Sequence, residues 1–112
     1  MANFMDALNK LDGPRISACF AEDATAFVPV AQPQRANGRA AIDAIFRTYI
    51  DLQKGQTTNL VPEDMTVQTS GDFALVTFQI VRPSTARRTF VFKRVGGRWL
   101  ITHMHASNFR VQ

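Results

Sequence analysis

Apolar residues recur at helical spacing over the first half of the chain and predict three helices. The first covers residues 3–10, the second begins after Asp12 with Pro14 in its first turn, and the third follows Asn37 as its cap and ends at Gly55. The apolar positions that carry the pattern are Phe4, Ala7, Leu8 and Leu11 in the first helix, Ile16, Cys19 and Phe20 in the second, and Ala41, Ile42, Ile45, Phe46, Tyr49, Ile50 and Leu52 in the third.

A period of two replaces the helical period after the third helix. Gly96 and Gly97 lie between two strand-like runs, which predicts a β-hairpin at that point. One earlier strand is expected between the second and third helices, and the strand around Pro62 is expected to be bent or interrupted. The predicted strands cover residues 24–30, 60–67, 73–81, 87–95 and 98–109.

The order of these elements predicts an α+β fold. Helices come first and meandering strands follow, which is typical of a curved antiparallel sheet that packs one face on the helices. The 112 residues suit one domain, residues 1–112, with a core of its own. In the last strand, alternation places Trp99, Ile101, His103, His105 and Ser107 on one face and Leu100, Thr102, Met104 and Ala106 on the other.

Charge is distributed unevenly along the chain. Residues 1–72 carry six Lys or Arg and nine Asp or Glu, whereas residues 73–112 carry seven Lys or Arg and no acid. This basic third could attract an anionic ligand or a nucleic acid, or it could keep the sheet soluble. The cations are spread over several turns and strands, with no basic helix stripe, so we predict no nucleic-acid partner.

Composition excludes other classes of protein. A single cysteine, Cys19, excludes an internal disulfide framework, and no apolar run has the length of a membrane span. We therefore predict no membrane partner and a cytoplasmic location, and we expect Cys19 to be a buried, inert thiol. The sequence indicates neither a cofactor nor a metal site, because the pair His103 and His105 has no acidic third ligand on any neighbouring strand after Asp72.

Four segments together resemble a known family. Residues 20–25, 37–42, 71–76 and 97–107 are similar to the corresponding parts of SnoaL-like domains, which belong to the nuclear transport factor 2-like superfamily. The chain's ending is also similar to that of the calcium/calmodulin-dependent kinase II association domain, through Trp99, Ile101, His103, His105 and Ser107. The resemblance implies a cone-shaped α+β fold, in which the sheet wraps around the helices and encloses a pocket, and it implies a homodimer.

Some members of this superfamily are ketosteroid isomerases, which use an Asp base with a Tyr and a protonated Asp as oxyanion donors. Alignment through the shared segments places Phe4, Val28 and Val91 at those three positions. None of these side chains transfers a proton, so we expect no isomerisation of that type.

The resemblance also implies which residues line the pocket. Arg87 would lie at its mouth and favour a carboxylate or phosphate, unless it is a solvent-exposed residue at the end of its strand. The expected walls are Phe46, Tyr49, Ile50, Phe78, Thr89, Val91, Leu100, Thr102 and Met104.

The outer face of the sheet is expected to form the dimer interface. The residues assigned to it are Phe90, Phe92, Trp99, Ile101, His103 and His105. For the two histidines, an interface role is favoured over catalysis or metal binding. Two functions remain open: a homodimeric protein that binds, and could chemically transform, a small, mostly apolar molecule, and a structural domain whose role is dimerisation.

Overall fold

A computed structural model describes residues 1–29, 34–82 and 85–109. Two helices come first, two strands separate them from the third helix, and four strands follow. The helices are α1 (Ala2–Asn9), α2 (Gly13–Ala18) and α3 (Arg39–Leu52), and the strands are β1 (Phe20–Phe27), β2 (Ala36–Asn37), β3 (Glu63–Ser70), β4 (Phe73–Ile80), β5 (Ala86–Val95) and β6 (Arg98–Asn108). The α+β fold expected from the sequence is confirmed.

The second helix begins as predicted but ends earlier. The carboxylate of Asp12 accepts a hydrogen bond from the backbone N–H of Arg15 at 3.2 Å, so it caps the helix, and Pro14 lies in the first turn. The helix ends at Ala18, and Phe20 is the first residue of β1 rather than part of the helix. The Phe20 ring is fully buried, which fits either assignment, because a short apolar run is typical of both the end of a helix and the start of a buried strand.

The third helix has a different cap from the predicted one. Gly38 occupies the cap position with φ of 90°, a backbone conformation that favours glycine. Asn37 instead ends the two-residue strand β2, and its side chain accepts a hydrogen bond from Nε of Arg35 at 2.8 Å. The helix ends at Leu52, and Gly55 lies in the turn that follows, so its predicted role as the helix end was placed three residues late.

In the described part of the chain, six strands form one sheet in the order β2-β1-β6-β5-β4-β3. The sequence predicted an antiparallel sheet, but β1 runs parallel to β6, while the other neighbouring strands described here run antiparallel. Between β1 and β6 the chain passes through β2, α3 and the strands β3, β4 and β5. The last strand, β6, then lies beside β1 and runs in the same direction. The strand predicted around Pro62 begins at Glu63, so residues 60 and 61 lie outside the sheet.

A β-bulge in β6 changes which side chains share a face. Val91 of β5 pairs with His103 and Phe92 pairs with Ile101, which leaves Thr102 without a partner of its own on β5. Strict alternation would place Ile101 and Met104 on opposite faces, but the inserted residue returns both to the face that packs on the helices. Both side chains are buried, as this register requires.

The core lies between the helices and this inner face of the sheet. Phe4 of α1 makes edge-on ring contacts with Phe20, Phe46 and Phe90, at centroid distances of 5.2–6.0 Å. Phe78 stacks on Phe90 at 5.7 Å. These rings join all the layers of the structure, because they come from α1, α3 and three strands of the sheet.

Candidate functional site

A cavity of about 350 Å³ lies between the helices and the inner face of the sheet. Its size is at the lower end of the range for small-molecule sites in proteins. We call this cavity the chamber. The chamber walls are Phe4, Met5, Leu8, Val28, Pro29, Ile45, Phe46, Thr48, Tyr49, Leu52, Leu60, Phe78, Ile80, Arg88, Phe90, Met104, Ala106 and Asn108.

Four of the chamber's side chains are polar: Thr48, Tyr49, Arg88 and Asn108. Arg88 projects from the inner face of β5, opposite Ala106 of β6. Burial lowers the pKa of its guanidinium below the ordinary value, an effect that the nearby Tyr49 opposes. Among the described residues that line the chamber there is neither a carboxylate nor an imidazole.

A second cavity of about 460 Å³ adjoins the chamber, and we call it the vestibule. It contains the polar residues Gln53, Thr58 and Asn59, which the chamber lacks. The two cavities share the residues Tyr49, Leu60, Ile80, Arg88 and Asn108. The guanidinium therefore belongs to the boundary between an apolar space and a more polar one.

The structure brings only part of the predicted pocket together. Phe46, Tyr49, Phe78 and Met104 line the chamber. Ile50 instead lines a separate cavity of about 360 Å³ between α2 and α3. The predicted residues on β5 and the early part of β6 do not line the chamber: Arg87, Thr89, Val91, Leu100 and Thr102.

On β5, the residues predicted to face the helices are each one position away from those that do. Arg88 and Phe90 face the helices, so Arg87, Thr89 and Val91 face the other way. The sequence carries a usable signal, since the alternating apolar positions Phe90 and Phe92 mark the buried face of this strand. The predicted walls included no residue of α1, although Phe4, Met5 and Leu8 line the chamber, because the depth of these side chains depends on how α1 packs.

The opposite, outer face of the sheet is partly apolar. It carries Phe27, Phe73, Leu75, Val91 and Leu100, of which the two phenylalanines are exposed and the other three are half-buried. His103 and His105 also lie on this face. We use the name outer patch for these seven residues.

Three residues that the sequence assigned to the dimer interface belong to the core instead. Phe90 and Ile101 have no exposed surface, and Phe92 is also buried against the helices, so none of them can contact a partner across the outer face. Trp99 is exposed, and it pairs with Arg94 on the inner-face side of the sheet, where the Arg94 guanidinium lies 5.3 Å from the Trp99 ring centroid. The bulge in β6 explains the difference for Ile101, and the one-residue shift on β5 explains it for the two phenylalanines.

The histidines of the outer patch have specific neighbours. Nδ1 of His103 lies 2.7 Å from Oγ1 of Thr25, at hydrogen-bond distance, and the ring of Phe27 contacts both imidazoles. Burial lowers the pKa of His103, and the charges of His105 and Arg35 lower it further. This arrangement favours a neutral imidazole at neutral pH.

Within residues 1–29, 34–82 and 85–109, no group of three or more His, Cys, Asp or Glu side chains is placed to hold a metal ion. None of the helices in this part of the chain is both long and apolar enough to cross a membrane.

The whole chain, residues 1–112, matches the SnoaL-like domain model. This protein belongs to the SnoaL-like domain family. The resemblance read from its sequence is thereby confirmed. Within the curated proteins, by contrast, no sequence matches this SnoaL-like chain.

Solved structures show the same fold in other organisms. An NTF2-like protein of unknown function from Pseudomonas putida is 26% identical, with 95% of this chain and 79% of that one covered and a TM-score of 0.80. An NTF2-like family protein of Streptomyces avermitilis, provisionally named a dehydratase, is 19% identical over 98% of this chain and 91% of that one, with a TM-score of 0.83. The association domain of C. elegans CaMKII is 21% identical over 96% of this chain and 88% of that one, with a TM-score of 0.76.

Proposed function

We propose that this SnoaL-like protein binds a small, mostly apolar molecule in the chamber. The observation that carries the proposal is the chamber itself, whose largely apolar walls contain only a few polar side chains. Sites of this kind gain affinity from apolar burial and orientation from their few polar groups. The ionisable side chains of the described walls are Tyr49 and Arg88, and neither is a general base at neutral pH without a strongly lowered pKa, so the proposal is for binding.

A neutral fluorescent probe tests this proposal. 1-Aminoanthracene should gain fluorescence when it enters the chamber, and Ala106→Trp should abolish the gain, because Ala106 is a buried wall residue and the indole would fill the space. Arg98→Trp is the control, since it adds the same side chain to the same strand at an exposed position that lies outside both the chamber and the outer patch. Fluorescence that both variants leave unchanged would place the probe outside the chamber and contradict the proposal.

We also propose that the protein is a homodimer whose two copies meet through the outer patch. Support comes from the apolar residues of the patch, which lie on three neighbouring strands, β4, β5 and β6, and on β1 through Phe27. Lys93 lies between Phe73 and Leu100 on the same face, with its Nζ 5.8 Å from the centroid of the Phe73 ring. A similar fold occurs in a protein named for its association function, the C. elegans domain. The alternative function, a dimerisation domain without a ligand, rests on this same surface.

Sedimentation velocity at micromolar concentration tests the dimer. We expect wild-type protein to sediment as a dimer and Val91→Lys to sediment as a monomer, because a buried, unpaired ammonium opposes association. Val67→Lys is the control, since Val67 is exposed on the edge strand β3 and lies on the inner-face side. A wild-type monomer at this concentration would overturn the proposal. A dimer that binds no probe would favour the alternative function.

A further inference from the structure

Arg88 is the feature of the chamber that its apolar walls do not explain. The residue is half-buried, and its guanidinium comes from the inner face of β5, at the boundary between chamber and vestibule. The four ion pairs between described residues involve other cations, so Arg88 has no carboxylate partner in this part of the chain. A charged group that is partly removed from water normally has a partner of opposite charge, and the guanidinium of Arg88 has none among the described residues.

The hydrogen bonds of Arg88 leave much of the guanidinium available. Nη1 donates to the backbone carbonyl of Arg87 at 3.0 Å and lies 3.4 Å from that of Ser107. Nε and Nη2 have no hydrogen-bond partner among the described residues. These two nitrogens form one edge of the planar fork, the geometry that binds the two oxygens of a carboxylate side by side.

The surroundings favour a single negative charge. The other residues that line the chamber and the vestibule, within the described chain, include no Lys, Arg or His. A dianionic group such as phosphate would therefore leave one charge without a partner beside apolar walls, which is unfavourable. A monocarboxylate matches the one guanidinium.

We propose that Arg88 binds the carboxylate of an amphipathic monocarboxylic acid whose hydrocarbon part occupies the chamber. The carboxylate lies at the boundary of the two cavities, so it keeps access to water on the vestibule side while the apolar part is buried. Tyr49 lies at the same boundary and supplies a hydroxyl that can donate a hydrogen bond to a carboxylate oxygen. This inference rests on the proposed ligand-binding function of the chamber.

A matched pair of small molecules tests the proposal with wild-type protein. Octanoate and octanamide have the same chain length and nearly the same shape, and they differ in charge. We expect octanoate to displace 1-aminoanthracene at roughly 10- to 100-fold lower concentration than octanamide, the range expected for hydrogen bonds to a charged group. Equal affinities would overturn the carboxylate assignment and leave binding in the chamber intact. Failure of both molecules to displace a bound probe would overturn the occupancy of the chamber by alkyl ligands, and with it this inference.

Variants then test whether Arg88 is the residue responsible. Arg88→Met keeps the length of the side chain and should remove the preference for octanoate while octanamide binds within about twofold of wild type. Arg87→Met is the control, because Arg87 is exposed and faces the other side of the sheet, and it should keep the preference. A purely structural Arg88, bound to the β6 backbone, would lower stability on substitution without changing the ratio of the two affinities, and that result would overturn the proposal.

Two further measurements cover a variant that does not fold and a ligand with two negative charges. If Arg88→Met does not fold, Arg88→Lys retains the charge without the bidentate fork and should keep only part of the preference; an unchanged preference would contradict fork binding. Octyl phosphate is the arm for a dianionic ligand. Tighter binding of octyl phosphate than of octanoate would overturn the monocarboxylate assignment.

Discussion

Replacing Phe90 by Ala tests the side-chain facing of β5, on which the chamber and the outer patch both depend. The Phe90 ring has no exposed surface and contacts the rings of Phe4, Phe78 and Phe92, at centroid distances of 5.2, 5.7 and 6.3 Å. Because Phe90 is also a wall residue of the chamber, its removal enlarges the chamber between α1 and the neighbouring strands. The surrounding rings cannot close this space completely without leaving their own contacts.

The expected loss is large for this chain. Truncating a buried phenylalanine to alanine typically lowers the unfolding free energy by about 3–5 kcal/mol. Because three aromatic neighbours lose their contacts at once, we expect the upper half of that range, roughly 4–5 kcal/mol of unfolding free energy. A chain of this length loses about 4 °C in Tm for each kcal/mol, so the midpoint should fall by roughly 16–20 °C.

Urea unfolding followed by circular dichroism measures the effect, and Val91→Ala is the control. Val91 is the next residue on the strand, is half-buried and faces outward, so its truncation should cost about 1 kcal/mol or less in an isolated subunit. Repeating both measurements over a range of protein concentrations separates subunit stability from association, because only a contact between subunits depends on concentration. A greater loss for Val91→Ala than for Phe90→Ala at low concentration would refute the assigned facing of β5.

Three further predictions concern single contacts. Asn9→Ala should cost roughly 2–3 kcal/mol, because its amide oxygen accepts hydrogen bonds from Leu60 N and Thr58 Oγ1, both at 2.8 Å, and its Nδ2 donates to the Leu60 carbonyl at 3.0 Å; thermal unfolding measures this. Asp12→Ala should cost about 1 kcal/mol by removing the cap of α2, which urea unfolding detects. Since burial lowers the pKa of His103, the unfolded chain takes up a proton first as the pH falls below neutrality, so the unfolding free energy decreases from about pH 7 until the pH passes the lower pKa of the folded state. His103→Gln should flatten this dependence in urea unfolding measured between pH 7.5 and 5.0.

Each of these predictions has an outcome that contradicts it. Asn59→Ala is the control for Asn9, since Asn59 is exposed and makes no hydrogen bond from its side chain to the described residues; equal losses for the two variants would refute the anchoring role. Unchanged stability of Asp12→Ala would show that the cap contributes nothing. Identical pH profiles for wild type and His103→Gln would show that another group governs the acid response.

The pattern of apolar residues determined the fold class and most of the elements. Helical periodicity placed α1 and α3, and the Gly96-Gly97 pair placed the final hairpin, because these signals are local: a helix stripe and a turn that needs positive φ, here 57° and 78°, depend on residues close in sequence. The sequence alone also revealed the acid-free last third, which leaves Arg88 without a carboxylate on its own and neighbouring strands β4 and β6.

Only the tertiary structure decided which side chains line the chamber. A single unpaired residue, Thr102, returns Ile101 and Met104 to one face, and periodicity cannot locate a bulge because it is defined by the pairing of β6 with β5. The parallel pairing of β1 with β6 likewise depends on contacts between residues about 80 positions apart. The sequence pattern also placed Arg87 in the pocket and Phe90 at the interface. The register of the sheet instead places Arg88 at the chamber and Phe90 in the core, because a shift of one residue exchanges the two faces of a strand.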